Sequence, residues 1–254
     1  MKTALIRQPA GLGDIFWLQP IVNHIASRGF HVLYPVCDHY YDGVIQQLKT
    51  DNSNFVRESE LSGKLLEAYR QTKEIIEDDF EYYPFDCISD PSSQSFRKEY
   101  SYTTVMERKY HFYKFINNDF DVNDNEWRKC CSIVRNPERE QKLKEFFNVG
   151  SDYIFVNHYF GTPPGDVYRN FDTRTDLQIV SNDHVVENMF DLCGILEDAK
   201  EIHTVETSFC YLIEMLDTNA TLNLYSRKMP NGIIQHNDFS YIDKVYKKDW
   251  IKHI

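Results

Sequence analysis

Four short stretches of the chain combine residue types that can do chemistry at spacings that would let them. The first is Gly11-Leu12-Gly13-Asp14. Two glycines directly after an apolar run let backbone N–H groups approach a ligand closely, and a helix opening there adds positive potential. Asp14 has two compatible roles: capping the helix start, or acting at the strand's C-terminal edge as a base for a substrate hydroxyl. Phe16 stands where a dinucleotide-binding fingerprint needs its third glycine, and no P-loop lysine follows. The second stretch is residues 153–169, YIFVNHYFGTPPGDVYR, an apolar run that gives way to His158, Gly161, Thr162 and Gly165. His158 is either a packed histidine or a donor to an anionic group. Arg169 and Arg174 are the nearest cations able to neutralise a diphosphate. The third is Glu206-Thr207-Ser208, set between one apolar run and another. Hydroxyls at a helix start satisfy its orphan N–H groups, which suffices to explain them. Alternatively the same helix start holds a diphosphate, with Glu206 accepting hydrogen bonds from ribose hydroxyls. The fourth is residues 224–228, LYSRK, where Arg227 and Lys228 close an apolar run. In an acidic chain, paired cations at a strand end point to phosphate.

Each stretch needs a strand to carry it and a helix to receive it. Residues 2–7 (KTALIR) read as a buried parallel strand bounded by Pro9 and Gly11. Ile15, Phe16, Leu18, Ile21, Val22 and Ile25 continue with helical period, with Asp14 as the natural cap and Gly29 as the left-handed stop. Pro20 in the second turn predicts a local distortion. Phe30–Val36 is the second strand and completes a βαβ unit. Helices are expected over 37–48, 61–76 and 103–115, and strands over 54–57 and 80–88. Residues 117–125 (NNDFDVNDN) form a polar, acidic tract without helical period, the best linker or exposed-loop candidate. A second series follows: a helix over 137–147 closed by Gly150, strands near 153–157, 176–181, 201–205 and 221–225, and helices over 186–199 and 207–216. That alternation predicts a second parallel sheet.

Composition narrows the partners. A net charge of −11 over 254 residues argues against a broad electrostatic grip on nucleic acid or anionic lipid, leaving room only for a local phosphate pocket. Aromatics at 15% suit cores and clefts that stack on sugar or base rings. The six cysteines contain no C-x-x-C pair, and adjacent Cys130 and Cys131 are poor zinc ligands. The N-terminal residues do not read as a signal peptide, and no run approaches the ~20 apolar residues of a membrane span. The expectation is a cytoplasmic protein with free thiols and no transmembrane segment.

Taken in order, LIRQPAGLGDIFWLQPIVNHI, VNHYFG and HTVETSFCYLIEML resemble the GT-B glycosyltransferases, particularly the ADP-heptose:lipopolysaccharide heptosyltransferase group. The resemblance implies an α/β chain of two Rossmann-like doubly wound domains facing across a cleft. Residues 1–135 would form the acceptor side and residues 136–254 the donor side. It implies transfer of a sugar from a nucleotide diphosphate-sugar to a hydroxyl of a glycan acceptor, with Asp14 as the base. Gly11 and Gly13 would line the acceptor loop. His158, Gly161, Arg169, Glu206, Thr207, Ser208, Arg227 and Lys228 would hold the donor. No metal or cofactor beyond the donor is implied, because a helix dipole and cations would carry the diphosphate charge. The chain departs from the family where Ser208 replaces a glycine, Tyr211 replaces a histidine, and LYSRK stands in place of a Gly-Pro-Thr element.

Two other readings compete with glycosyl transfer of the GT-B kind. Asp119-Phe120-Asp121 matches the Asp-x-Asp of metal-dependent transferases, although it lies in the linker-like tract. The departures near the donor helix fit a non-catalytic nucleotide- or sugar-binding module. A dehydrogenase, with Asp38 after the second strand, leaves the second half unexplained.

Overall fold

The computed structural model describes residues 1–9, 11–89, 105–121, 126–161, 167–173, 175–182, 188–228, 234–235 and 242–254. Thr162, Gly165, Arg174 and residues 122–125 lie outside the described residues. The chain divides into two compact units, Met1–Ser132 and Ile133–Ile254.

In the first unit the apolar runs become β1 (Lys2–Ile6), β2 (Phe30–Val36), β3 (Ser53–Arg57), β4 (Ile75–Ile76) and β5 (Phe80–Tyr83). Their order in the sheet is β3-β2-β1-β5-β4, parallel throughout except for β4 against β5. From β1 the chain moves through α1 (Leu12–Trp17) and α2 (Gln19–Ser27) to β2, then through α3 (Asp38–Gly43) to β3. It returns through α4 (Gly63–Tyr69) to β5 on the other side of β1. Right-handed crossovers in opposite directions lie on opposite faces. Leu5, Phe80 and Tyr82 accordingly pack with Leu61, Ala68 and Tyr69 on the α4 side. Tyr83 meets Tyr113 of α5 (Val105–Ile116) on the other face. Strands β1 and β5 thus flank the point where strand order reverses, which is where open α/β sheets bind ligands.

The expected distortion at Pro20 is a break. With no N–H to return to the preceding turn, Pro20 stands in the first turn of α2, and α1 ends at Leu18. Gly29 takes the left-handed conformation at φ 88° and ends α2 as expected. Other expectations need correction, among them a strand that ends at Tyr83 rather than 88 and a helix that spans Asp38–Gly43 rather than 37–48. The helix over 61–76 is only Gly63–Tyr69, because the chain must turn back early to form the β4–β5 hairpin. Residues 117–121 are a loop with Asn118, Asp119 and Asp121 exposed, but not a linker, since Asn117 is buried and the Phe120 ring packs edge-on against Tyr110, Tyr113 and His24. The helix α6 (Pro137–Phe146) is closed by Asn148 at φ 46° rather than by Gly150. Asn148 N–H donates to Glu145 O and Val149 N–H to Lys144 O, the paired bonds of a Schellman stop.

In the second unit β6 (Tyr153–Asn157), β7 (Gln178–Ser181), β8 (Glu201–Val205), β9 (Thr221–Tyr225) and β10 (Trp250–His253) form a wholly parallel sheet in the order β7-β6-β8-β9-β10. The helices α7 (Cys193–Asp198), α8 (Ser208–Met215) and α9 (Ile242–Val245) cover one face. The Tyr153 hydroxyl donates to Ile195 O, Phe155 meets Phe209, and Trp250 meets Tyr246. The β6-to-β7 connection runs the opposite way and covers the other face with Tyr159–Phe160 paired antiparallel to Val167–Tyr168. There Phe160, Val167 and Phe171 pack on Val205 and Tyr225. The order reverses between β6 and β8.

Strand β10 has no forerunner in the sequence reading, and Glu214 of α8 holds its approach. Its buried carboxylate accepts from Lys247 N–H at 2.9 Å, Lys248 N–H at 3.0 Å and Trp250 Nε1 at 2.9 Å. Glu214→Ala leaves these donors without the carboxylate and is expected to cost about 3 kcal/mol. Urea denaturation should show a lower midpoint; an unchanged midpoint would contradict that role.

Candidate functional site

The loop after β1 turns at Gly11, whose φ of 85° is left-handed and whose missing Cβ makes room for the Asp14 carboxylate. The helix therefore starts at Leu12, three residues earlier than expected, and Asp14 is not its cap. Gly11 occupies the cap position, no side chain caps the helix, and Gly13 and Asp14 lie in the first turn. Freed from capping, the Asp14 carboxylate forms an ion pair with the Lys109 ammonium of α5. Lys109 Nζ also donates to Gln8 Oε1 at 2.7 Å. The neighbouring strand end is fixed by Cys37, whose N–H donates to Pro9 O at 3.0 Å. On the same sheet face, the Tyr34 hydroxyl of β2 is buried without a hydrogen-bond partner. Burial, and then the charge of Asp14, hold its phenol protonated far above the ordinary range.

Gly11→Ala places a Cβ in an unfavourable conformation and against the Asp14 carboxylate. The expected cost is about 1–2 kcal/mol in stability, with displacement of Asp14. Thermal unfolding checks the first, and a variant as stable as the parent would contradict the left-handed turn.

The second unit gathers its polar residues at the ends of β6, β8 and β9. Asn157, at the end of β6, donates to Thr204 Oγ1 at 3.0 Å and to Tyr159 O at 3.1 Å. His158 Nδ1 lies 2.9 Å from Arg169 O, and its ring packs on Phe171. A carbonyl can only accept, so the neutral ring's proton belongs on Nδ1, and Nε2 is left as an acceptor. The Nδ1 of the half-buried His158 thus serves the hairpin. Arg169 N–H donates to His158 O in the same ladder, and its buried Nε has no hydrogen-bond partner. Gly161 follows directly after Tyr159–Phe160 and is exposed.

Thr207 caps α8, its Oγ1 accepting from Phe209 N–H at 3.2 Å, and Ser208 is the first helical residue. Glu206 is buried just before the cap, and its Oε2 lies 2.6 Å from Arg227 Nε. The same Nε donates to Glu206 O at 2.8 Å, and the guanidinium lies 5.9 Å from the Phe160 ring centroid. Ser226, wholly buried, has an unpartnered hydroxyl between these residues in the chain. Lys228 is exposed, on a short ladder between Arg227–Lys228 and Ile234–Gln235.

The structure brings Glu206, Thr207, Ser208 and Arg227 together at the switch point of the second sheet. It brings Gly11, Gly13 and Asp14 together at that of the first. Lys109 was missed because a lysine in an amphipathic helix reads as solvated, and its carboxylate is far away in sequence. The buried cysteines offer no activated nucleophile: burial raises Cys193 to about 12 and Cys210 further, and desolvation raises the half-buried Cys131 to about 12 as well. Asp119 lies 3.5 Å from His24, beside the buried Phe120 ring. Among the described residues no group of three or more His, Cys, Asp and Glu is gathered as metal ligands would be. Among them, too, no helix is long and apolar enough to cross a membrane.

No protein-family model matches the sequence, and no curated protein matches it. The structure is similar to a crystal structure of a glycosyl transferase family 9 protein from Veillonella parvula DSM 2008, with a TM-score of 0.50 and 10% identity over 99% of this chain and 86% of that one. It is more distantly similar to the iron-containing dodecameric glycosyltransferase TibC from enterotoxigenic E.coli H10407, with a TM-score of 0.46 and 9% identity over 92% and 61% of the two chains. At these identities the likeness is one of fold. The chain has the two-unit α/β fold of the GT-B type.

Proposed function

We propose that the protein is a glycosyltransferase that moves a sugar from a nucleoside diphosphate-sugar to a hydroxyl of a glycan acceptor. The observation that carries this reading is the content of the two switch points. One holds a carboxylate, and the other a hydroxyl-capped helix start beside an arginine. In the reaction, Asp14 takes the acceptor's hydroxyl proton as that oxygen bonds to the anomeric carbon. The bond from the anomeric carbon to the diphosphate breaks, and its electron pair leaves with the diphosphate. The α8 N-terminus with Arg227 and Lys228 would meet the developing charge, so that no divalent cation is required. Glu206 would accept from the ribose while orienting Arg227. The fold likeness supports the reaction class, and the free thiols among the described cysteines suit a reducing cytoplasm.

The test is turnover with a panel of UDP-, GDP-, ADP- and CDP-sugars, offered with glycan acceptors in the presence and absence of EDTA. Transfer that survives EDTA supports the proposal in full. Loss restored by manganese would return the reading to a metal-dependent transferase. Binding of a nucleotide-sugar by calorimetry without turnover would favour a module that keeps the fold and not the reaction.

A further inference from the structure

We propose that Lys109 is the positioning residue for Asp14, an inference that rests on the glycosyl-transfer reading of that carboxylate. Lys109 comes from α5, outside the βαβ unit that carries Asp14, and its side chain is only 3% exposed. An ammonium removed from water is costly unless its charge is met and its protons are accepted. Both of its named acceptors, Asp14 Oδ1 and Gln8 Oε1, belong to the segment that leaves β1 at the switch point. The lysine therefore ties the two ends of one loop to a third element, and Gly11 lies between those ends.

The geometry assigns different tasks to the two carboxylate oxygens. Oδ1 is held by Lys109, while Oδ2 lies against Gly11 in the room left by its missing side chain. The Asp14 side chain keeps 25% of its surface exposed, whereas the ammonium behind it is closed off. A carboxylate held by one oxygen loses much of its side-chain freedom, leaving the other oxygen to meet a substrate proton in a defined direction. Misplacement of a reacting group by about 1 Å can cost ~100-fold in rate. Lys109 touches neither the acceptor nor the donor in this scheme and keeps its own protons throughout.

The experiment compares Lys109→Met, Lys109→Arg and Gln8→Leu with the parent chain. Rates are taken per folded molecule, with folding checked by circular dichroism and by nucleotide-sugar binding in the second unit. The expected result for Lys109→Met is a fall in kcat of ~100-fold with donor KM within about twofold. Lys109→Arg, which can still donate to Oδ1, should recover part of that loss. Gln8→Leu should lose less than Lys109→Met, with the loss again in kcat. A second readout needs no turnover: the 13C carboxyl resonance of Asp14, assigned by its absence in Asp14→Asn, should move in Lys109→Met and move back in Lys109→Arg.

Full kcat in folded Lys109→Met, or no recovery with Lys109→Arg, would overturn the inference. So would an Asp14 resonance that ignores Lys109. If no donor is turned over by the parent chain while the resonance responds, the glycosyl-transfer reading fails and the hold of Lys109 on Asp14 stands. A lower melting temperature with kcat intact would mark a merely structural ion pair and would also overturn it.

Discussion

Asp14→Asn should abolish transfer, lowering kcat by at least about 1,000-fold, the range a general base supplies. Donor affinity should stay within about twofold, because the donor residues proposed above belong to the other unit. Asparagine is the informative replacement. Its amide oxygen can still accept from Lys109 Nζ, so the loop keeps its anchor while losing the oxygen that takes the proton. Alanine would instead strand a buried ammonium, at a cost of about 3 kcal/mol, and would confound chemistry with stability. Single-turnover kinetics beside calorimetry separate the two effects. Retained transfer in Asp14→Asn would remove the base assignment.

Arg227→Ala should weaken nucleotide-sugar binding by ~10–100-fold, as expected for loss of a charge-assisted hydrogen bond to an anion. It should also lower stability, because the Glu206 carboxylate is buried and its 2.6 Å partner would be gone. Arg227→Lys keeps the positive charge but not the planar fork, and should fall between parent and alanine. Glu206→Ala should weaken donor binding too, both by removing the ribose acceptor and by releasing Arg227. Titration calorimetry with the donor found by the panel gives each value. Parent-like affinity in folded Arg227→Ala would move the diphosphate away from this helix start.

The strands that could be read were those written as apolar runs between breakers. Residues 2–6, 30–36, 153–157, 201–205 and 221–225 all became sheet strands. Parallel strands buried on both faces leave such runs because neither face needs polar side chains. Trp250–His253 escaped because half of its residues are polar, and its place depends on Glu214, a contact between distant segments. The helix start at Asp14 was misplaced for a local reason. Gly11 and Gly13 can both adopt the left-handed turn, and the choice of Gly11 follows from where the carboxylate goes. Asparagine also tolerates the left-handed conformation, so Asn148 stops α6 two residues before Gly150. At the site, types and positions were legible in Asp14 and in Glu206–Ser208. Pairings were not. Neither the Asp14–Lys109 contact nor the Glu206–Arg227 contact follows from spacing, since each is made by the fold.

The five-stranded sheet of the first unit takes its described strands from the first 83 residues, whereas Lys109 arrives on α5. The ladder can thus be complete in a growing polypeptide before the carboxylate's counter-charge has been made. During vectorial synthesis the scaffold and its chemical competence would be acquired at separate times, with the docking of a single helix as the event that arms the loop.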